Sequence, residues 1–237
     1  GYFCLDTIAG TPTVVRWPTP SSRGAGEPVV RCSQLPGVSA HVRCSLGAAP
    51  DGTLWLAATK NKGFSRFRLD PGGTCATRIG GYCITEPYPG RPGVADLDAF
   101  DGTAVPQLGR VGVLAIESRR NAVFYADPPT GSHPVPQILA TASDWGLKSH
   151  EELQSITLRS AGADTYLVGA TTRGRILQRK LGETAPAVQV FDIVRSRAER
   201  HVAACGECSS PQVYEIRSSA TSGDVYLTDR EHCEVVR

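Results

Sequence analysis

The feature that most constrains the fold of this chain is a short segment that recurs five times. Its clearest copy is Pro50–Ala58, in which the turn-forming pair Asp51-Gly52 leads into an apolar run around Trp55. Each copy sets a turn former or small polar residue before a β-favouring run with an aromatic residue, the composition of a buried strand entered from a tight turn. The aromatic residues of the five copies are Phe3, Trp55, Phe124, Tyr166 and Tyr226. The sequence therefore predicts one structural module used repeatedly.

The spacing of the copies and the segments around them predict an all-β chain. Successive aromatic residues are 52, 69, 42 and 60 residues apart, and periods of about 40 to 60 residues are typical of propeller blades. Further strands are predicted before four copies, at 42–46, 111–116, 156–158 and 213–216, and after all five, at 13–17, 64–69, 135–139, 175–179 and 233–236. Outermost strands are predicted at 29–30, 79–84, 138–140 and 188–194. The 25 Gly and 17 Pro are spread along the chain, which favours many short connections over long helices.

Two stretches resemble a known class of repeat. Ala48–Ala57, and Val113–Ile116 leading into Val123–Asp127, resemble the repeats of β-propellers of the NHL, SMP-30/gluconolactonase and Yellow type. The resemblance covers most of the chain and implies a β-propeller of about five repeats, spanning residues 1–237 as a single domain. A β-sandwich with similar hairpins is the alternative fold, and the repeat is shared by proteins of unrelated function.

Three places depart from the regular repeat. No segment ahead of Gly1 supplies an inner strand for the first copy, so we expect a cleaved upstream segment or a partner chain to provide it, unless this repeat is irregular. Residues 85–107 contain several prolines, which lack backbone donors, and are predicted to be a surface loop. Residues 143–153 are predicted to contain a helical turn capped by Ser149, and 196–201 a weaker one.

Eight cysteines and the absence of methionine indicate a processed chain from an oxidising compartment. An even cysteine count is typical of secreted, disulfide-linked domains. The predicted pairs are Cys4–Cys233, which would join the chain ends, Cys32–Cys44, Cys75–Cys83 and Cys205–Cys208. No Asn-x-Ser/Thr sequon is present, so N-glycosylation is not expected.

The charge and hydropathy of the chain favour neither nucleic-acid binding nor a membrane span. The chain has 25 Lys+Arg and 23 Asp+Glu, and its longest basic run is Arg119-Arg120, which does not favour nucleic-acid binding. No apolar run approaches the roughly 18 residues of a membrane span.

Several sequence patterns are similar to metal-binding motifs, but each lacks some of the required ligands. His201-x-x-x-Cys205-x-x-Cys208 has one Cys-x-x-Cys where a strong zinc signal has two, so bridging is favoured over zinc. Asp6, Asp127 and Asp229 follow aromatic strands, as the metal-binding acids of SMP-30-like propellers do, but the chain has only two asparagines, so turn capping is favoured. The segment 96–102, Asp-x-Asp-x-x-Asp-Gly, lacks the ligand order and distal Glu of a calcium loop. We expect no metal, no cofactor and no catalytic residue.

Loop aromatic and basic residues form the predicted recognition surface, because both types are enriched at interface centres. They are Tyr82, Tyr88, Arg91, Arg119, Arg120, Trp145 and Arg173. The interpretation is a secreted, lectin-like binding module for a protein or glycan. The alternatives are an SMP-30 or strictosidine-synthase-like enzyme acting on a small substrate at an axial metal, and a structural subunit of an extracellular assembly.

Overall fold

The computed structural model describes residues 2–8, 11–17, 26–31, 44–48, 52–58, 63–71, 76–83, 97–105, 110–117, 122–126, 136–199, 213–218, 222–229 and 234–237. Within these ranges the protein is all-β, with eighteen strands, one 3-10 helix and one α-helix. No helix in the described part of the chain is long and apolar enough to cross a membrane.

The strands form five sheets, each built from strands that follow one another in sequence. Pairing is antiparallel in the first, second, fourth and fifth sheets. The first sheet contains β1 (Tyr2–Ile8), β2 (Thr11–Trp17) and β3 (Glu27–Arg31). The second contains β4 (Cys44–Ala48), β5 (Thr53–Ala58), β6 (Gly63–Leu69) and β7 (Ala76–Cys83). The third contains β8 (Leu97–Val105), β9 (Arg110–Glu117), β10 (Ala122–Ala126) and β11 (Pro136–Ala140).

The last two sheets complete this order. The fourth sheet contains β12 (Leu153–Ala161), β13 (Asp164–Thr171), β14 (Arg175–Lys180) and β15 (Val188–Asp192). The fifth contains β16 (Val213–Ser218), β17 (Val225–Asp229) and β18 (Glu234–Val236). Helix α1 (Ile193–Glu199) follows β15. The chain forms two compact units, of which one is Gly1–Val113 with Tyr125–Gln137 and the second is Leu114–Phe124 with Ile138–Arg237.

The predicted all-β class is confirmed, but one predicted loop is wrong. Strand β8 (Leu97–Val105) occupies the C-terminal part of the segment 85–107 and forms the edge of the third sheet. The prolines at 87, 89 and 92 precede this strand, so they do not remove donors from its ladder. Asp98, Asp101 and Gly102 lie inside the strand, and the calcium-like spacing of this segment therefore does not mark a loop.

Only three of the five recurring aromatic residues lie in equivalent strands of their sheets. Trp55, Tyr166 and Tyr226 lie in the second strands of their sheets, whereas Phe3 lies in a first strand. Phe124 lies in the third strand in chain order, because the unpredicted β8 comes first. Their environments also differ, since Trp55 is fully buried and Tyr226 is 38% exposed.

An arginine lies opposite four of these five aromatic residues on a neighbouring strand. The register pairs Phe3 with Arg16, Trp55 with Arg66, Tyr166 with Arg159 and Tyr226 with Arg217. In the second sheet the Arg66 guanidinium carbon lies 5.3 Å from the centroid of the Trp55 ring, within the range of a cation–π contact. A cross-strand arginine is thus part of the recurring module.

The turn between the first and second strands is also shared by three sheets. Gly52, Gly162 and Gly223 occupy this turn with φ of 78°, 62° and 69°, a left-handed conformation that glycine adopts without a Cβ clash. At Gly223 space matters as well, because an added Cβ would lie 2.5 Å from the Ser160 carbonyl oxygen.

Inside the second unit, β12 and β16 join the fourth and fifth sheets edge to edge. The Ile216 N–H donates to Ser155 Oγ at 3.0 Å, and Thr157 Oγ1 lies 3.3 Å from Ser218 Oγ. Residue numbers rise together on both strands, so the two strands run in the same direction. We call these contacts the β12–β16 junction. An apolar cluster lies beside it, made of Val168, Ala170, Ile176, Ile193, Ile216 and Leu227.

Inside the first unit the first strands of successive sheets are likewise neighbours. Strand β1 contacts β4, and β4 contacts β8. In each unit, therefore, the first strand of one sheet packs beside the first strand of the next.

The predicted helical turn in 143–153 is present, but its cap is different. The 3-10 helix spans Ala142–Trp145 and its N-cap is Thr141. The Thr141 N–H and hydroxyl donate to Asp144 Oδ2 at 2.7 and 2.8 Å. The predicted capping role of Ser149 is wrong, because the helix ends at Trp145 and the residues that follow Ser149 lead into β12.

We predict that Gly169→Ala destabilises the second unit by about 1–3 kcal/mol, because overpacking a full core forces neighbours to move. A Cβ at this position would lie 2.8 Å from Leu153 Cδ2 and 3.1 Å from Trp145 Cζ3. Gly80→Ala is the matched control, since its Cβ would meet nothing within 4 Å. Urea denaturation of the two variants and the parent measures the effect. Equal stability of both variants would contradict the packing described for Gly169.

Candidate functional site

The most distinctive polar arrangement among the described residues lies where two connections meet at one end of the fourth sheet. Residues 146–152 lead from the 3-10 helix into β12, and residues 171–175 form the turn from β13 to β14. We call these two segments the basic edge. Antiparallel pairing of β12 with β13 brings them together, since Leu153 lies opposite Thr171.

A buried ion pair fixes the inner side of the basic edge. Glu151 is 0% exposed and Arg175 is 9% exposed. The Arg175 guanidinium binds both carboxylate oxygens, with Nε donating to Oε1 at 2.8 Å and Nη2 donating to Oε2. Thr171 Oγ1 donates to Oε1 at 2.6 Å, and the Lys148 N–H donates to Oε2 at 2.8 Å. Each carboxylate oxygen therefore accepts two hydrogen bonds.

The same arginine holds the loop at a second point. Arg175 Nη2 also donates to the Gly146 carbonyl oxygen at 3.1 Å. Before the loop, the Asp144 carboxylate lies 2.6 Å from Arg179 Nη1, and the Asp144 carbonyl accepts from the Ala187 N–H at 2.7 Å. The irregular segment 146–152 is thus anchored at both ends to β14 and to the start of β15.

These contacts decide the charge state of Glu151. Burial raises the pKa of this carboxyl, but the hydrogen bonds from Arg175, Thr171 and the Lys148 N–H, with the positive charge of Arg175, outweigh it. The net result lowers the pKa of Glu151 from 4.5 to about 2. Hydrogen bonding to Glu151 in turn raises the pKa of Arg175. The pair is fully ionised at neutral pH.

The outer side of the basic edge presents polar side chains to solvent. Its exposed residues are Gly146, Lys148, Ser149, His150, Glu152 and Arg173. Arg173 Nη2 donates to the Ser149 carbonyl oxygen at 2.8 Å, which links the two segments. The Thr172 N–H donates to the Glu152 carbonyl at 2.8 Å, and the Glu152 N–H donates to Thr172 Oγ1 at 3.0 Å. His150 has φ of 59°, and it is the one non-glycine residue with positive φ in the described ranges.

The chemistry available here is recognition of an anion. Glu151 has both oxygens occupied, so it is not placed to act as a general base. Lys148 and Arg173 are cations on a loop that is already ordered, and an ordered loop loses little entropy on binding. The basic edge is therefore suited to hold carboxylate, sulfate or phosphate groups.

The structure describes few of the residues predicted from sequence to form the recognition surface. Arg173 is exposed and lies in the basic edge. Trp145 is 0% exposed and packs its ring against Gly169, so the prediction that it is an exposed loop residue is wrong. Tyr82 lies in β7 opposite Phe64. Tyr88, Arg91, Arg119 and Arg120 lie outside the described residues.

Only some residues of the incomplete metal-site patterns lie within the described ranges. Asp6 lies in β1 opposite Thr13, and Asp229 lies in β17 opposite Val213 and Glu234. Asp127 and the segment 201–208 lie outside the described residues. Among the residues that are described, no three His, Cys, Asp or Glu side chains group closely enough to hold a metal ion.

Comparison with known proteins adds little to this site. No protein-family model and no curated protein matches the chain. Among solved structures, it is similar to a protein of unknown function from Bacteroides caccae, with TM-score 0.47 and 10% identity over 96% of this chain and 68% of that one. It is also similar to a candidate 6-phosphogluconolactonase from Bacteroides uniformis ATCC 8492, with TM-score 0.44 and 14% identity over 96% of this chain and 60% of that one. Likenesses this distant carry no functional weight.

We predict that Glu151→Gln destabilises the second unit by about 3–5 kcal/mol at neutral pH, because it leaves the buried Arg175 charge without its partner. Glu152→Gln is the matched control, since the neighbouring carboxylate is exposed and its neutralisation should change stability by less than about 1 kcal/mol. Denaturant titration of both variants measures the difference. A comparable loss of stability in the two variants would show that the buried ion pair stabilises the fold no more than an exposed carboxylate does.

The pH dependence of stability gives an independent prediction. Glu151 has a folded-state pKa of about 2 against an ordinary value of 4.5, so it stabilises the fold fully above about pH 4.5. This contribution, about 3 kcal/mol for such a shift, should be lost as the pH falls from about 4.5 to about 2. The stability difference between the parent and Glu151→Gln should shrink over that window in acid titrations. A difference that stays constant would contradict the ionised, hydrogen-bonded state of Glu151.

Proposed function

We propose that the protein is a secreted β-propeller of five blades that binds an anionic glycan through the basic edge. Each of the five sheets would be one blade, with β1, β4, β8, β12 and β16 as innermost strands. Two observations support the architecture. Each sheet is built from consecutive strands, and first strands of successive sheets contact each other within each unit.

The direction of β12 and β16 gives further support for blades. Strands that line a common axis side by side run in the same direction, and β12 and β16 do so at their junction, with Ser155 beside Ile216 and Thr157 beside Ser218. In a stack of two sheets packed face to face, as in a sandwich, contact comes from side chains of the two inner faces. Edge-to-edge contact of first strands favours the propeller over that alternative.

The observation that carries the binding proposal is the exposed, charged side of a rigid loop. Lys148 and Arg173 face solvent, while the Lys148 N–H donates to Glu151 Oε2 at 2.8 Å and the Arg173 N–H donates to Thr171 Oγ1 at 3.3 Å. Loops ordered by a fixed scaffold are common positions for binding residues. The exposed carboxylate of this edge, Glu152, is outnumbered by its two cations.

The character of the exposed side chains favours a glycan over a protein as the partner. Centres of protein interfaces are apolar and rich in aromatic residues. The exposed side chains of the basic edge are all polar or charged. Guanidinium and ammonium groups match the sulfate and carboxylate groups of acidic polysaccharides.

We expect the purified chain to bind sulfated or uronate-bearing oligosaccharides and not their neutral counterparts on a glycan array. The double variant Lys148→Glu/Arg173→Glu should weaken binding by about tenfold or more, because attraction becomes repulsion at two contacts. Affinity is measured by calorimetry with heparin oligosaccharides.

The control is Arg68→Glu/Arg78→Glu, which makes the same change of net charge at two exposed arginines of β6 and β7. It should retain binding if the basic edge is the site. Equal weakening in both double variants would show that net charge alone drives binding. Preferential binding of neutral glycans, or capture of a protein that ignores the Lys148→Glu/Arg173→Glu change, would overturn the proposal.

A further inference from the structure

The second sheet has three cysteines at or beside its strand ends. Cys44 is the first residue of β4, and Cys83 is the last residue of β7. Cys75 is bonded directly to Ala76, the first residue of β7. Their strand positions limit which of them can be bonded to one another.

Cys75 and Cys83 are separated by the full length of β7. The register pairs Cys83 with Gly63 and Ala76 with Leu69, so the strand spans about 20 Å between these two rows. The peptide link between Cys75 and Ala76 shortens this by at most about 3.8 Å. A disulfide requires Cα atoms within about 7 Å, so these two cysteines are too far apart to bond.

Cys44 is too far from both of the others. The register runs Cys44 to Ala58, Ala58 to Gly63 and Gly63 to Cys83, which places Cys44 and Cys83 at opposite ends of one row across four strands. Three interstrand spacings amount to about 14 Å. Ala76, the residue to which Cys75 is bonded, lies at the other end of the sheet, about 20 Å along the strands from this row.

We infer that Cys44, Cys75 and Cys83 are each bonded to a cysteine outside the second sheet. The remaining cysteines are Cys4 in β1 and Cys32, Cys205, Cys208 and Cys233 elsewhere in the chain. The bridges would then connect this sheet to other parts of the protein. This inference differs from the Cys75–Cys83 bridge predicted from spacing, in which Cys75 lies outside the described residues. Pairing of Cys44 with Cys32 is compatible with this rule.

This inference rests on the proposed secreted location, because bridges persist in oxidising compartments. Each bridge forms when two thiols lose two protons and two electrons to an oxidised disulfide carrier, which becomes a dithiol. One S–S bond forms in the protein and one is broken in the carrier. No other co-reactant is required.

A disulfide between distant segments lowers the conformational entropy of the unfolded chain more than a local disulfide does. In the chain-entropy model, the stabilisation by a disulfide increases with the number of residues in the loop that it closes. A bridge from Cys75 or Cys83 to Cys4 or Cys233 closes a far longer loop than the eight-residue separation of Cys75 and Cys83. The second sheet is then covalently tied to segments remote in sequence.

Peptide mapping of the native chain under non-reducing conditions tests the inference. The expected result is that peptides containing Cys44, Cys75 and Cys83 are each linked to a peptide from outside residues 44–83. A linked Cys75–Cys83 peptide would overturn the inference and leave secretion intact. Eight free thiols would overturn it together with the secreted location, without bearing on glycan binding by the basic edge.

Single variants provide a second measurement on the same point. Cys75→Ser should expose one new free thiol, detected by alkylation, at a cysteine outside residues 44–83. Cys83→Ser should expose a different one. If the thiol freed by Cys75→Ser is Cys83, the inference is wrong whatever the stability of the variants.

Discussion

The buried pair of Glu151 and Arg175 is the interaction on which the candidate site depends. Removing two charges from water costs several kcal/mol for each ion, and the loss is offset only by excellent geometry and full hydrogen bonding. Both conditions are met here, with a bidentate guanidinium and additional donors from Thr171 and the Lys148 backbone. A well-packed apolar pair could stabilise the sheet as much. The ionic pair differs in fixing the irregular segment 146–152 to the first residue of β14, next to the turn 171–175, so that Lys148 of the first segment and Arg173 of the second lie on one edge.

The β12–β16 junction shows how the sheets manage their exposed edges. A strand at the edge of a sheet has unpaired backbone groups, which are costly to bury. At this junction serine hydroxyls bind such backbone groups. Ser155 Oγ accepts from the Ile216 N–H, and Ser218 Oγ donates to the Leu158 carbonyl oxygen. Arg159 adds a longer link, from its Nε to the Gly223 carbonyl oxygen at 2.8 Å. Polar contacts therefore set the register between these two sheets, while the apolar cluster beside them supplies burial.

The sequence predicted the fold far better than the site, and the reason is physical. Strands leave a local signature, so the runs around Trp55, Tyr166 and Tyr226 were recognised from turn formers and β-favouring residues. Strand β8 was missed because the prolines in residues 85–107 indicate a loop, although those at 87, 89 and 92 precede the strand. Trp145 was placed on the surface because a tryptophan between polar residues gives no local sign that Leu153 and Gly169 will cover it.

The Glu151–Arg175 pair has no comparable local signature. Its partners are separated by 24 residues, and they become neighbours only because β12 pairs with β13. The adjacent carboxylates Glu151-Glu152 lie in the predicted helical turn 143–153, and they invite the question of which cation pairs with them. The answer required the register, which places Thr171 opposite Leu153 and so aligns the turn 171–175 with Glu151.

The small net charge of the chain limits how the basic edge can select a ligand. With a formal charge of +2, long-range attraction of an anion is weak, and at physiological salt charges are screened beyond about 8 Å. Lys148 and Arg173 therefore act on groups that already lie near the loop. At such short range the proposed ligand would be selected by the spacing of its anionic groups. That spacing must match two side chains on segments that are joined by Glu151, Arg175 and the Arg173–Ser149 hydrogen bond. Selectivity then follows from the rigidity of the loop rather than from the amount of charge.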